Sequence, residues 1–406
     1  MKNIFSALLL LLYTGLLFAQ ETITFNGTIK EAATGHPIAY ATVSYKSAGT
    51  HGTISNDAGV FELFDVPLGV TIEISHLLYE PQTYTLTNSD SLQINLSTTT
   101  LALPTAVVDG EYARQLAQKA HEKARATKQV YKGKGFYRQL SKVDGEYTEV
   151  IESFVDIHFS NQQIESWEVI EGRYGKTKKE GIIRFNNFSF LSRGVAVYTT
   201  PPKKKKRKKK KKNAAIALSE DLNEFHVEVA QFLQKADGQE IAIIHCIPKN
   251  KGTKNNRLFI ESWYYIDTET YEIYKMKSII PEWLGDKSKL KVQEPLFTIQ
   301  FTYKKDSKRG MVLDFIQVLA DVEIHKNEQF PYPVAVNSLF YCYAIFDAKQ
   351  DTFEKAKRKI DDLEVASKAN YNPAFWENHP MLKKTPLEKQ VMEDFEKAGF
   401  FGTYRK

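Results

Sequence analysis

The sequence predicts a mainly β protein with some helix: an N-terminal antiparallel β-sandwich, a larger antiparallel sheet domain and flanking helices. Between residues 27 and 84, short runs in which apolar and polar residues alternate are separated by clusters of Gly, Asn, Asp or Pro. From residue 135 to 347 the period of two continues in longer runs. Near 110–127 and toward the C-terminus, apolar residues instead recur every three or four positions, which is typical of amphipathic helices.

These changes of period divide the chain into five parts. Residues 1–19 form the expected signal peptide, 22–98 the sandwich, 99–128 a linker and docking helix, 129–348 the sheet domain with a Lys-rich loop at 201–213, and 349–406 the C-terminal helices. A half-barrel is one form that the sheet domain can take, because a sheet with one large apolar face has to curve over something that covers it.

Composition and charge are those of an ordinary globular protein. The 406 residues are 42% hydrophobic and 26% charged, enough for two or three domains with their own cores. The formal net charge of +6 comes from ten consecutive basic residues, Lys203 to Lys212, and the remainder of the chain is mildly acidic. The net charge therefore does not indicate a general nucleic-acid-binding surface.

The N-terminal residues predict export. Lys2 precedes an apolar stretch from Ile4 to Phe18, and Ala19 is the small residue that a signal peptidase requires. An uncleaved membrane anchor is the alternative, but the apolar stretch is short for a span of about 20 residues. We expect cleavage after Ala19 and a protein that resides in the periplasm or at the periphery of the outer membrane.

The strand and turn pattern of the first domain carries a family resemblance. The segment resembles the carboxypeptidase-like regulatory domain, a transthyretin-like sandwich of secreted Bacteroidota proteins. The matching positions are Gly27, Gly35, Pro37, Ala41, Val43, Gly52, Thr53, Asn56, Gly59, Phe61 and the stretch from Ser75 to Glu80, with Leu78 where the family usually has glycine. The resemblance implies a module that does not itself catalyse a reaction.

Three local signals predict individual elements of the rest of the chain. Asp109 is placed to cap a helix from Gly110 to about Thr127, whose apolar stripe would dock on the sheet. Asp144-Gly145 predicts a tight hairpin at the start of one long meander. Thr385-Pro386-Leu387-Glu388 predicts a capping box with proline at the first helical position, after a helix over residues 350–368. This tail, with Tyr371-Asn372-Pro373 and Phe375-Trp376, resembles that of a Bacteroidota family in which a carboxypeptidase-like regulatory domain precedes a β-rich domain.

Aromatic residues on alternate positions of the sheet domain form a candidate ligand surface. We expect Trp263, Tyr265, Phe297 and Phe301 to line an apolar face that is either a filled core or a site for an apolar ligand. The hairpin over 257–278 is similar to the repeated hairpin of periplasmic lipoprotein carriers.

Cys246 and Cys342 both lie in apolar, strand-like contexts. Two buried free thiols are favoured over one disulfide, which an oxidising compartment would permit if the two strands adjoin.

The Lys-rich loop is a candidate contact with an anionic surface. Its ten like charges repel one another and it has no apolar side chain to bury, so we expect an exposed loop. The residues are Lys203, Lys204, Lys205, Lys206, Arg207, Lys208, Lys209, Lys210, Lys211 and Lys212. Anionic lipid, lipopolysaccharide or another outer-membrane protein are the expected partners, with a merely solvated insertion as the alternative. Part of the loop looks like a nuclear localisation signal, which an exported chain would not use, and no specific nucleic acid is expected.

Zinc carboxypeptidase chemistry is not supported by the residues. His325 and Glu328 have the first ligand spacing of such enzymes, but the later histidine, His379, lies in a Pro-flanked loop and no family motif surrounds the pair. We assign no catalytic, cofactor-binding or metal-binding residue. The sequence favours a non-catalytic binding or interaction protein; a carrier or sensor of an apolar ligand is the second interpretation, and a hydrolase with an unidentified site is the third.

Overall fold

The computed structural model describes residues 22–47, 49–88, 91–102, 110–126, 130–160, 164–177, 214–215, 222–249, 253–254, 257–280, 291–325, 332–347, 371–378 and 384–402. The expected signal peptide, the Lys-rich loop and the helix expected over 350–368 lie outside these residues. None of the helices described in these ranges is long and apolar enough to cross a membrane.

Strands dominate the described residues, as the sequence predicts. They are β1 Thr22–Glu31, β2 Thr42–Lys46, β3 Thr50–Ile54, β4 Val60–Pro67, β5 Thr71–His76, β6 Tyr79–Thr85, β7 Leu92–Leu96, β8 Thr100–Ala102, β9 Tyr131–Val143, β10 Glu146–Phe159, β11 Ile164–Lys176, β12 Ala214–Ala215, β13 Phe225–Gln234, β14 Glu240–Pro248, β15 Thr253–Lys254, β16 Arg257–Phe259, β17 Glu261–Asp267, β18 Ile273–Ile280, β19 Lys291–Asp306, β20 Gly310–His325 and β21 Tyr332–Asp347. The helices are α1 Gly110–Ala126, α2 Pro373–Asn378 and α3 Pro386–Lys397, with a 3-10 turn at Leu222–Glu224.

The N-terminal domain is a two-layer sandwich. One layer has the strand order β4-β1-β7, and the other has β6-β5-β2-β3. The side chains of Ile29, Phe61 and Ile74 are fully buried between them. The expected antiparallel β-sandwich is confirmed, with one exception: β7 runs parallel to β1. The chain changes layers between β6 and β7, and such a crossover allows β7 to enter beside β1 in the same direction.

The larger sheet is open and antiparallel, with the order β11-β10-β9-β21-β20-β19-β18-β17-β14-β13-β8. The hairpin at Asp144-Gly145 is confirmed: both residues have positive φ, 53° and 79°, and they join β9 to β10. The prediction of one long meander is wrong at one junction, because β9 pairs with β21 and the first three strands of the domain therefore lie beside its last. β21 also pairs with β3 at Ala344 and His51, which makes the sandwich and the large sheet continuous.

The inner face of the large sheet is the face that α1 covers. The helix is confirmed, and Ala113, Leu116 and Ala117 on its apolar stripe are buried in the largest core. The thiols of Cys246 and Cys342 are buried in the same core and are free. Four strands separate β14 from β21 in the sheet order, so the strands that carry the two cysteines do not adjoin.

The C-terminal segment covers the opposite, outer face near β9 and β10. The capping box is confirmed: Thr385 Oγ1 accepts a hydrogen bond from the Glu388 amide at 3.2 Å, and Glu388 Oε2 accepts one from the Thr385 amide at 2.8 Å. The ring of Trp376, on α2, packs against Phe154 with centroids 5.5 Å apart. These contacts dock the tail on the sheet.

A buried charge network lies beneath this tail. Glu152 accepts from Arg138 Nε at 2.6 Å and from Arg173 Nε at 2.7 Å, and the side chains of all three residues are at most 5% exposed. Glu388 and Glu396 on α3 lie 3.6 and 3.5 Å from the two guanidinium groups. Burial opposes the charge on Glu152, but the two arginines outweigh it and hold the pKa of that carboxyl well below its usual range.

Candidate functional site: a cleft between the two domains

A cleft of about 870 Å³ lies between the β2–β5 layer of the sandwich and the outer face of the large sheet. Its upper wall comes from the sandwich and its floor from β14 and β17 to β20. The lining includes Tyr40, Thr42, Ser44, Ser75 and His76 on the wall and Tyr274, Lys275, Gln300, Thr302 and Gln317 on the floor. The volume is within the range of sites that hold small molecules, about 300–1,000 Å³.

Contacts on two sides hold the cleft in shape. On one side, Thr50 Oγ1 donates to Asp306 at 2.7 Å, and Thr42 donates to Asp314, beside the β3–β21 ladder. On the other side, Glu80 Oε1 accepts from the Ala236 amide at 3.2 Å, and β8, the continuation of the sandwich, pairs with β13. The sandwich therefore bridges the outer face of the sheet.

Two β-bulges shape the floor. In β18, Lys275 pairs with Tyr265 and Ile273 pairs with Ile266, so Tyr274 is the extra residue. In β20, Asp314 is the extra residue between Leu313 and Phe315. Both extra residues line the cleft. Bulges redirect side chains that regular alternation would place elsewhere, and the one in β18 brings the consecutive residues Tyr274 and Lys275 to the same cleft.

Several carboxylates of the cleft are already engaged by protein groups. Lys304 Nζ lies 2.9 Å from Asp314, which Thr42 also contacts. Asp267 accepts from the Thr270 amide at 2.7 Å and from Gln239 Nε2 at 2.7 Å. Burial would raise the pKa of Asp267, but these hydrogen bonds outweigh it and lower that pKa.

Lys275 and His76 face the cleft from opposite domains. Burial, with a smaller contribution from Lys277, lowers the pKa of Lys275 to about 8. The Lys275 ammonium lies 5.4 Å from the centre of the Tyr265 ring. Burial and then the charge of Lys275 lower the pKa of His76 to about 4, and its Nδ1 accepts from the Leu78 amide at 3.2 Å. Leu78 does not need a positive φ in this turn, which explains why glycine is not required there.

Lys235, directly after β13, has a different charge environment. Its ammonium lies 5.7 Å from the centre of the Tyr274 ring. Burial lowers the pKa of Lys235, while Asp237, Glu80 and Asp267 act in the opposite direction. The cleft is thus acidic around Lys235 and cationic around Lys275.

The four aromatic residues expected to share one face do not do so. Phe297 and Phe301 are 4% exposed and belong to the core under α1, on the inner face. Trp263 and Tyr265 pack on the outer face around Ile243 and Tyr274. Alternation correctly predicted that Trp263 and Tyr265 share one face of their strand, and that Phe297 and Phe301 share one face of theirs. The register between β17, β18 and β19 places these two pairs on opposite faces of the sheet.

The remaining candidates from the sequence are not brought together in the described residues. Glu328 and His379 lie outside those residues, as do Lys203 to Lys212, and the described part of the chain contains no group of three His, Cys, Asp or Glu side chains placed to hold a metal ion.

Ser166 Oγ lies 2.8 Å from His158 Nδ1, a spacing that suits a nucleophile and its base. Ser166 is 8% exposed, also accepts from the His158 amide, and does not line the cleft.

Sequence reasoning missed Lys275 and His76 as site residues. His76 falls within the Ser75 to Glu80 stretch that carries the family resemblance, so the resemblance could have singled out this histidine. Lys275 alternates with apolar residues in a Tyr-rich strand, as does Lys277, and nothing in the sequence separates the two.

Comparison with known families supports the assignment of the first domain. Residues 25–108 match the CarboxypepD_reg-like domain. The resemblance seen in the sequence is confirmed for this domain, which supplies the upper wall of the cleft. No curated protein matches the chain.

Solved structures give weak likenesses. A LolA-superfamily protein of Nitrosomonas europaea has 6% identity and a TM-score of 0.20, covering 56% of this chain and 92% of its own. A DUF1329-family protein of Desulfovibrio piger has 9% identity and a TM-score of 0.23, covering 57% and 92%. A protein of Bacteroides fragilis described as membrane-associated has 12% identity and a TM-score of 0.15, covering 79% and 97%. Scores this low do not support an argument about function.

Proposed function

We propose that this chain is an exported, non-catalytic binding protein that holds a polar ligand in the cleft between the sandwich and the large sheet. The observation that carries the proposal is the cleft itself, whose lining is divided between a regulatory-type domain and the sheet domain. Residues from both domains would contact one ligand, so binding would depend on both. On the inner face, Phe297 and Phe301 are 4% exposed and pack in the core under α1.

The compartment and the wider partners belong to the same proposal. The apolar N-terminal stretch would direct the chain to the periplasm or the outer-membrane periphery. Lys203 to Lys212 would contact anionic lipid, lipopolysaccharide or another outer-membrane protein. Ligand binding in the cleft and adhesion through the loop would then be separate activities of one chain.

Native mass spectrometry of the full chain, isolated from its exporting cell without denaturation, tests the cleft. Ser44→Trp places a large side chain in the cleft, whereas Gln93→Trp, at an exposed position of β7 in the other layer of the sandwich, is the matched control. We expect a bound non-protein mass with the wild type and Gln93→Trp but not with Ser44→Trp. Absence of any bound mass from the wild type, or its retention by a folded Ser44→Trp, would contradict the proposal.

A further inference from the structure

We propose that the corner of the cleft formed by Lys275 and His76 is a subsite for an anionic oxygen group of the ligand, either a carboxylate or a phosphate. This inference deepens the proposed cleft function and rests on it. It follows from a contrast among lysines, from the hydrogen bonding of His76, and from the distribution of acidic groups along the cleft.

The lysines that line the cleft are not equivalent. Lys304 forms an ion pair with Asp314 at 2.9 Å, and Lys305 forms one with Glu272 at 3.2 Å. Lys275 has no carboxylate partner among the described residues, and the one charge that perturbs it is that of Lys277, which is also positive. A mostly buried ammonium without a counter-ion is costly, and an anionic ligand would remove that cost.

The surroundings of Lys275 hold it at the cleft. The bulge at Tyr274 brings Lys275 to the floor of the cleft, and the Tyr265 ring lies 5.4 Å from its ammonium. An aromatic face stabilises the cation without neutralising its charge, so the three N–H groups stay available to an acceptor. The lysine is thereby positioned in advance for an anion.

His76 contributes a donor from the other domain. Its Nδ1 accepts the Leu78 amide at 3.2 Å, so in the neutral ring the hydrogen is on Nε2. His76 lines the same cleft as Lys275 and is close enough to be perturbed by its charge. An oxygen placed between them would accept one hydrogen bond from each domain.

The acidic groups of the cleft leave this corner to the ligand. Asp314 and Asp306 are engaged by Lys304, Thr42 and Thr50. Asp237, Glu80, Asp267 and Glu73 act on Lys235, and none of them figures among the causes of the lowered pKa of Lys275. These contacts therefore favour a ligand with an anionic group beside Lys275 and a neutral or cationic polar group beside the carboxylates around Lys235.

Calorimetric titration of the full chain with inorganic phosphate and, separately, with succinate tests the subsite. We expect saturable 1:1 binding of at least one probe, which identifies the oxyanion preferred. Lys275→Gln should weaken that binding by about tenfold or more, since it removes a charge-assisted hydrogen bond. Lys389→Gln removes a lysine of α3 that lies 3.9 Å from Glu393, is 72% exposed and does not line the cleft, so the affinity of this variant should stay within about twofold of the wild type.

Acetylation footprinting of the wild type gives a second measurement that does not depend on how a variant folds. With a limiting amine-acylating reagent at pH 8, the probe should protect Lys275 from modification and leave Lys389 unaffected. Absence of saturable binding of both probes, equal loss in both lysine variants, or no protection of Lys275 would overturn the inference. If Ser44→Trp releases the copurified mass while Lys275 proves indifferent to both probes, the cleft function stands and the anion subsite falls.

Discussion

Two regions of buried charge among the described residues differ in whether the charge has a partner of opposite sign. Under the C-terminal helices, Glu152 is held between Arg138 and Arg173, and each charge has an opposite charge within hydrogen-bonding distance. In the cleft, Lys275 is also mostly buried but has no carboxylate partner among the described residues. Both arrangements require desolvation of charge, but in the first one the chain itself supplies the opposite charges. Satisfied charge of this kind fixes a fold, whereas unsatisfied charge at a cleft indicates a ligand.

The largest effect on stability is expected when the central carboxylate of the buried charge network is removed. Glu152→Gln leaves two buried guanidinium groups without their carboxylate, and we expect it to lower the free energy of unfolding by about 3–5 kcal/mol. Urea denaturation followed by circular dichroism measures the effect. Glu396→Gln, at a carboxylate that is 40% exposed, is the control and should cost less than about 1 kcal/mol. Equal losses in the two variants would mean that the network is not what holds the tail.

The unsatisfied lysine should have the opposite effect on stability. Lys275 has a folded-state pKa of about 8, below the value of about 10.4 for an unfolded chain. Below pH 8 both states hold the proton; between the two values the unfolded state holds it and the folded state has released it, so stability rises with pH in that window. Lys275→Gln should therefore be more stable than the wild type at pH 7, by on the order of 2 kcal/mol.

The same experiment has an internal check. Denaturation of both proteins from pH 7 to 9.5 should show the advantage of Lys275→Gln shrinking as the pH rises, because the wild type loses the buried charge. A difference that does not change with pH would show that Lys275 is either solvated or paired with a residue outside the described ranges.

A smaller effect is expected where the tail that covers the network begins. Thr385→Ala removes the side-chain acceptor of the Glu388 amide at the start of α3 and should cost about 1 kcal/mol. Thermal unfolding compared with Thr83→Ala, on the exposed side of β6, measures it. A loss as large as that of Glu152→Gln would indicate that α3 and the network unfold as one unit.

The smallest effect on stability is expected from the third group of cations, Lys203 to Lys212. Deleting the run should leave the melting temperature unchanged or slightly raised, because it contributes no apolar side chain to a core and its charges repel one another. The deletion should abolish sedimentation with anionic vesicles at low salt, and high salt should abolish that of the wild type. Equal sedimentation of both proteins would show that the loop is solvated and uninvolved.

The sequence was most informative where a local rule decides the structure. Asp144-Gly145 and the Thr385 capping box each depend on a few neighbouring residues, and both are as expected. Alternation also placed Trp263 with Tyr265 and Phe297 with Phe301 correctly within their strands. Which face each pair occupies depends on the register between strands, and a run with period two carries no information about that register.

The cleft could not be predicted for the same reason. Lys275 and Lys305 both lie in strands that contain aromatic residues. Glu272 lies 3.2 Å from Lys305 but is not among the groups that perturb Lys275. The bulge at Tyr274 is one extra residue in a pattern that would otherwise read as ordinary alternation. The pairing of β9 with β21 and of β3 with β21 joins segments far apart in the chain, which no local motif encodes.

The attachment of the sandwich at two sides of the cleft has a mechanical consequence. The β3–β21 ladder fastens one margin, and the β8–β13 pairing together with the Glu80 contact to Ala236 fastens the other. Closure about a hinge requires one free margin, whereas both margins of this cleft are attached. A ligand would therefore enter along the span, and the radius of gyration in solution should be nearly the same in the empty and occupied protein.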